Sequence, residues 1–243
     1  MTSINIRKRK LGYFSEEAYK SLRTNLMFCG EDKKVIALTS CTPNEGKSSV
    51  SVNLSISLAE AEYKVLLIEA DLRKPVLMGR AHVKGRIKGL TYYLAGQAEL
   101  QEIICETNVR NLSTIFAGRI PPNPTELLGG AGFRQMIAQL REEYDYIIID
   151  TPPLGSVIDC AVIAECCDGI IMVIETGAIS YRFAREVKEQ LEKAKCPILG
   201  VVLNKISIES NGLYRRYSRY ERYGKPKINK KKKTQTMVKA ETN

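Results

Sequence analysis

The stretch "KVIALTSCTPNEGKSS" (34–49) decides the fold. Its first part, residues 34–40, is apolar without alternation, as in a strand buried on both faces. Its second part turns through Pro43, Asn44 and Gly46, then reaches Gly46-Lys47-Ser48 where a helical pattern begins. A loop of this kind leaves unpaired amides at the helix N-terminus, and the helix adds a partial positive charge there. Phosphate suits such a place: Lys47 would reach β/γ phosphates, and the Ser48 hydroxyl would meet Mg2+. The loop departs from GxxxxGK[ST] at Cys41, where the pattern has glycine, and Asn44 stands where glycine is common. Asparagine tolerates left-handed backbone better than most residues, so the turn is still expected. Taken alone, the Gly-Lys-Ser triplet also fits a glycine-capped surface turn.

The same alternation continues along the chain. Residues 64–71, 112–118, 146–150, 169–176 and 197–205 read as further buried strands. Residues 48–61, 125–143 and 181–194 have helical spacing, and a helix from about Glu16 to Phe28 precedes the first strand. In that helix Ala18, Leu22 and Leu26 form an apolar stripe. The expected fold is α/β, a mostly parallel sheet flanked by helices on both faces. "VLLIEADLRKP" places Glu69 and Asp71 two apart, on one side of a strand, and "YDYIIIDTPP" carries Asp150 to a strand end. Ligands of open parallel sheets bind beyond the carboxyl ends of the strands. Lys47, Glu69, Asp71 and Asp150 are therefore expected on one rim, as a Mg2+ and general-base cluster. Each carboxylate alone is more often a surface or capping residue.

Composition narrows the class. The chain has 243 residues, 44% hydrophobic and 26% charged, an ordinary globular balance. No run approaches the ~20 apolar residues of a membrane helix. The basic N-terminus lacks an apolar core after it, so no secretory signal is expected. Seven cysteines without CxxC pairs fit no zinc site and suggest reduced thiols. A single histidine, His82, excludes His-rich metal sites and argues against a Ser-His-Asp triad. Residues 209–243 hold 11 Lys/Arg against 3 Asp/Glu, leaving +8 of the net +10 in this tail and +2 in residues 1–208. The domain reading is accordingly 1–208 plus a flexible basic tail, 209–243, able to seek an anionic partner or to stay solvated. Within the tail, "YRRYSRYERYGK" (214–225) sets tyrosines at every third position. That spacing drifts round a 3.6-residue helix, which disfavours a packed aromatic stripe.

Taken together, these segments resemble the bacterial tyrosine kinases of capsule and exopolysaccharide synthesis. These belong to the deviant-Walker branch of P-loop NTPases, beside septum-positioning and partition ATPases. "EAYKSLRTNLMF" (17–28) is similar to the family's oligomerisation helix, "CTPNEGKSS" to its Walker A, "LLIEADLRKP" to its Walker A′ and "IIIDTPP" to its Walker B. "IPPNPTELL" (120–128) and the tyrosine-rich tail complete the likeness. The resemblance implies an ATP-dependent autokinase using ATP and Mg2+. Nucleotide contacts would fall on Thr42, Pro43, Asn44, Glu45, Gly46, Lys47, Ser48, Ser49, Arg73 and Asn204. Ser48, Asp71 and Asp150 would hold the metal, with Lys47, Asp71 and Asp150 catalytic and Glu69 orienting or deprotonating the acceptor. Arg73 would add positive charge there, or form a structural salt bridge.

Autophosphorylation is implied at Tyr214, Tyr217, Tyr220 and Tyr223, in trans within a ring of copies. Each phosphate adds about −1.5 to −2, so four nearly cancel the tail's charge and would release the assembly. Glu17, Lys20 and Arg23 match the interface motif E-x-x-R-x-x-R except at Lys20, which loses bidentate geometry. Implied partners are a membrane-anchored polysaccharide co-polymerase-type activator and a cognate tyrosine phosphatase, not nucleic acid. Implied placement is cytoplasmic, recruited to the inner face of the cell membrane. The family usually has aspartate at position 69. The signature lysine of partition ATPases would fall at Thr42 and is missing. A positioning ATPase, or a nucleotide-binding scaffold without turnover, stands as the alternative.

Overall fold

The computed structural model describes residues 2–6, 11–82, 87–194 and 196–206. The chain divides into a compact unit, Met1–Lys205, and a second unit, Ile206–Asn243. Tyr214, Tyr217, Tyr220 and Tyr223, and the expected boundary at 208/209, lie outside the described residues.

The strands of the first unit are β1 (Thr2–Ile6), β2 (Val35–Ser40), β3 (Val65–Glu69), β4 (Ala81–His82), β5 (Ile104–Thr107), β6 (Leu112–Ile115), β7 (Tyr146–Asp150), β8 (Gly169–Glu175) and β9 (Ile198–Asn204). Its helices are α1 (Tyr13–Phe28), α2 (Lys47–Ala59), α3 (Leu90–Leu94), α4 (Leu100–Ile103), α5 (Pro124–Gly129), α6 (Ala131–Glu143), α7 (Asp159–Ala164) and α8 (Tyr181–Glu192). The strands pair in the order β4-β1-β5-β6-β3-β7-β2-β8-β9. From β6 to β9 every neighbouring pair is parallel. The pairs β5–β6 and β1–β4 are antiparallel. After β2 the chain crosses over β7 to β3, and it later returns to the other side of β2 as β8. This reversal opens a crevice at the carboxyl end of β2, the usual ligand position in open α/β sheets.

Strand alternation divides the core. Ile36, Leu38, Leu67 and Ile148 face α2 and the buried Leu26 of α1. Val35, Ala37, Leu66 and Ile149 face the opposite side, against Phe133 and Leu140 of α6 and Leu191 of α8. Each fully buried Leu or Ile contributes about 1.5–3 kcal/mol. Both faces of the middle strands are covered, which is why their sequences run apolar throughout.

Several elements differ from the sequence expectation. Residues 125–143 are two helices, because Gly130 is extended (φ −72°, ψ 162°) between α5 and α6. The strands β1, β4 and β5 and the helices α3, α4 and α7 had no periodic signal of adequate length. Of the α1 stripe only Leu26 is buried, while Leu22 is half-buried and Ala18 exposed. Among the described residues no helix is long and apolar enough to cross a membrane.

Candidate active site

The site begins where β2 ends. Asn44 (φ 68°) and Gly46 (φ 94°) both take left-handed backbone, so the asparagine fills the role anticipated for it. Gly46 caps α2 without any side-chain hydrogen bond, leaving the first amides of that helix for another acceptor. Inside the loop the Thr42 N–H donates to Glu45 Oε2 at 2.8 Å. A second passage buttresses it: Leu154 N–H donates to the Ser40 carbonyl at 2.9 Å. A Cβ on Gly155 would lie 2.2 Å from the Cys41 carbonyl oxygen, so only glycine passes there.

Lys47, on the first turn of α2, extends to the end of β7. Its Nζ donates to Asp150 Oδ1 at 2.8 Å and to Ser48 Oγ at 3.3 Å. Ser51, one turn further along α2, adds its hydroxyl to the same Asp150 oxygen at 3.1 Å. Asp150 is 0% exposed, and among the described residues its Oδ2 has no hydrogen-bond partner. Asp71 lies two residues beyond the end of β3, in irregular backbone, rather than alternating with Glu69 along a strand. Its Oδ1 accepts the Lys74 N–H at 3.0 Å. Burial pushes the Asp71 carboxyl up, the Lys74 amide and the Lys47 charge pull it down, and the Asp150 charge pushes it up. Lys47, Ser48, Asp71 and Asp150 therefore act on one another within a single rim.

Glu69 departs from its expected role. It pairs in register with Asp150 across β3 and β7. Yet it is 0% exposed, and both oxygens are occupied by backbone. Oε1 accepts the Val76 and Leu77 amides at 2.6 Å each, and Oε2 accepts the Ala117 amide at 3.1 Å. Burial raises this carboxyl while the three amides oppose the shift. Through these bonds Glu69 holds the loop after β3 and the segment after β6, and both of its oxygens are engaged in this structure.

Arg73 also resolves to the structural reading. Its guanidinium grips Asp159 of α7 at 2.7 and 3.0 Å and Thr125 of α5 at 3.0 Å. Burial alone would raise the Asp159 carboxyl, but Arg73 and Thr125 together hold it below the ordinary range. This triangle ties the segment carrying Asp71 to α5 and α7. Asp159 was missed because it belongs to no motif, and Thr125, within the segment 120–128, was given no role there.

Asn204 reaches the loop from the end of β9, donating to the Glu45 carbonyl at 2.9 Å. Arg80, also missed, donates to Ser49 Oγ at 3.0 Å. On α1, Glu17 and Lys20 pair with each other at 2.7 Å on an exposed face. Arg23 instead turns inward and donates to the Ser57 carbonyl at 2.7 Å, fastening α1 to α2.

The unpartnered, buried Asp150 Oδ2 and the neighbouring Ser48 hydroxyl suit a hydrated Mg2+. Among the described residues no three His, Cys, Asp or Glu side chains are grouped closely enough to hold a metal by themselves. Such a donor set is incomplete without phosphate oxygens, as is usual for Mg2+ at nucleotide sites.

A phosphate loop after a central parallel strand, with acids at two neighbouring strand ends, defines a P-loop nucleotide-binding protein. A family model described as an AAA domain matches residues 33–198. The chain is 46% identical over 210 residues to the tyrosine-protein kinase CpsD of Streptococcus agalactiae, covering 86% of this chain and 92% of that protein. Among solved structures, the chimerical protein CapA2B2 superposes with a TM-score of 0.75 at 28% identity, covering 85% of this chain and 94% of that one. The kinase domain of the Escherichia coli tyrosine kinase ETK does so with a TM-score of 0.72 at 31% identity, covering 83% and 84%. The chain belongs to this family of bacterial tyrosine-protein kinases.

Proposed function

We propose that this chain transfers the γ-phosphoryl group of ATP to tyrosine hydroxyls, its own tail tyrosines included, and so regulates capsular or exopolysaccharide synthesis. The observation that carries the reading is the buried Lys47–Asp150 pair at the mouth of the phosphate loop, within a chain of this family. Phosphoryl transfer depends on positioning and charge neutralisation more than on covalent chemistry. Lys47 supplies a cation for β/γ phosphates, and the loop amides surround them. Ser48, Asp71 and Asp150 are the groups that would hold Mg2+, which supplies further neutralisation when bound. Besides its place in the metal set, Asp71 is the rim carboxylate assigned here to receive the proton of a tyrosine hydroxyl, whose pKa is ordinarily about 10, since Asp150 is paired with Lys47. With both Glu69 oxygens engaged, Asp71 takes the role first assigned to Glu69.

The acceptors are Tyr214, Tyr217, Tyr220 and Tyr223, presented by a neighbouring copy. The exposed Glu17 and Lys20 supply part of the contact between copies. A membrane-anchored activator of the co-polymerase type and a tyrosine phosphatase complete the cycle at the inner face of the membrane. Incubation with ATP-Mg2+ followed by mass spectrometry of residues 209–243 tests this. Phosphate on two or more of the four tyrosines is the expected result. Release of free phosphate without phosphotyrosine, in the presence of the activator's cytoplasmic segment, would refute it and favour a positioning ATPase.

A further inference from the structure

The last two residues of the compact unit, Asn204 and Lys205, lie 161 residues or slightly less from the phosphate loop in sequence and touch it directly. Lys205 Nζ donates to the Asn44 carbonyl at 2.7 Å and to Glu175 Oε2 at 2.7 Å. Asn204 donates to the next carbonyl of the loop, that of Glu45. Glu175 and Asn204 are register partners on β8 and β9, so the holders of the latch belong to one rigid sheet edge.

These bonds fix more than the position of the loop. A trans peptide is planar, with its C=O and the following N–H directed oppositely. Holding the Asn44 carbonyl toward Lys205 turns the Glu45 amide to the other side of the loop. Holding the Glu45 carbonyl toward Asn204 does the same for the Gly46 amide. Among the described residues neither amide donates to another protein group. Successive amides turned one way make an anion-binding nest. Asn44 and Gly46 are both left-handed, a conformation with alternatives, so the loop needs an external hold. A Cβ on Gly46 would lie 2.1 Å from Asn204 Nδ2, which shows how closely that hold is packed.

We infer that Lys205, assisted by Asn204, is a positioning residue that orients the amides of Glu45 and Gly46 toward the nucleotide's β/γ phosphates. The inference rests on the nucleotide site proposed above and adds a residue to it. Lys205 acts through the loop backbone and touches no reacting atom.

The test compares wild type with Lys205→Met and Lys205→Arg. Affinities for fluorescent ATP and AMP analogues are measured at equilibrium, and KM and kcat are separated in the kinase assay. Lys205→Met is expected to weaken ATP about tenfold, the worth of one hydrogen bond to a charged group. AMP lacks the phosphates that the nest serves and should change less than about twofold. Lys205→Arg keeps the donor and should restore most of the ATP affinity. KM should rise while kcat at saturating ATP holds. As a second variant, Glu175→Gln leaves the lysine in place without its holder and should weaken ATP by about threefold. ATP affinity within about twofold of wild type in Lys205→Met, or equal weakening of ATP and AMP, would overturn the inference. Wild type that binds ATP yet makes no phosphotyrosine would refute the proposed kinase reaction instead, and the binding comparison would still decide the latch.

Discussion

Replacing Lys47 by methionine perturbs both stability and chemistry, and the structure separates the two effects. Lys47 and Asp150 form an ion pair at 2.8 Å with side chains only 7% and 0% exposed. In Lys47→Met, Asp150 keeps only the Ser51 hydroxyl on Oδ1, and Oδ2 remains without a partner. Removing one member of a buried pair costs about 3–5 kcal/mol, because the other charge stays desolvated. In a unit of this size each kcal/mol lowers Tm by about 2–4 °C, so the expected fall is about 6–20 °C. Adding Asp150→Asn removes the stranded charge and should recover more than half of that fall. Neither variant should make phosphotyrosine, since the cation for the phosphates is gone in both. Thermal and urea unfolding report the first effect, and anti-phosphotyrosine blotting with ATP-Mg2+ reports the second. A Tm for Lys47→Met within about 2 °C of wild type would refute the buried-pair energetics. Autophosphorylation in the double variant would refute the catalytic assignment.

Two further outcomes follow from particular groups. Glu69→Ala leaves the Val76, Leu77 and Ala117 amides without their acceptor, at about 1–3 kcal/mol for each buried orphan. A urea-unfolding loss below about 1 kcal/mol would show that these bonds carry little weight. Cysteine alkylation at pH 8 tests burial. Cys41 is pushed up to about 11 by burial and then by the Glu45 charge. Cys196 is pushed up to about 11 by burial and then by Cys160 and Asp168. A raised thiol pKa means scarce thiolate below that value, with reactivity growing only as pH climbs toward it. Iodoacetamide should therefore label the exposed Cys29 well before Cys41 or Cys196, as peptide mass mapping would reveal.

Much of the framework was readable from residue patterns. Apolar runs at 34–40, 64–71, 146–150 and 169–176 read as strands covered on both faces, and with a strand before it the Gly46-Lys47-Ser48 step read as the opening of a helix; both are present. The meeting of Lys47 with Asp150 followed once β2 and β7 were placed in one parallel sheet. The short elements were less visible. A two-residue strand such as β4 carries no period, and the break at Gly130 depends on a backbone conformation that two adjacent glycines permit but do not require.

Side-chain direction was the part that the residue order left open. Glu69 has the type and spacing of a site carboxylate, yet amides 7, 8 and 48 residues away decide where it points. Arg73 could serve phosphate or a carboxylate equally well, until α7 brings Asp159 within 2.7 Å. The local code determined a phosphate loop, its sheet and its acids, because strand and helix periods and turn chemistry act over a few residues. Only the tertiary structure decided which of those acids face the loop and what holds the loop in shape. Such directions depend on partners far along the chain, as for Lys205 and Asn44, 161 residues apart.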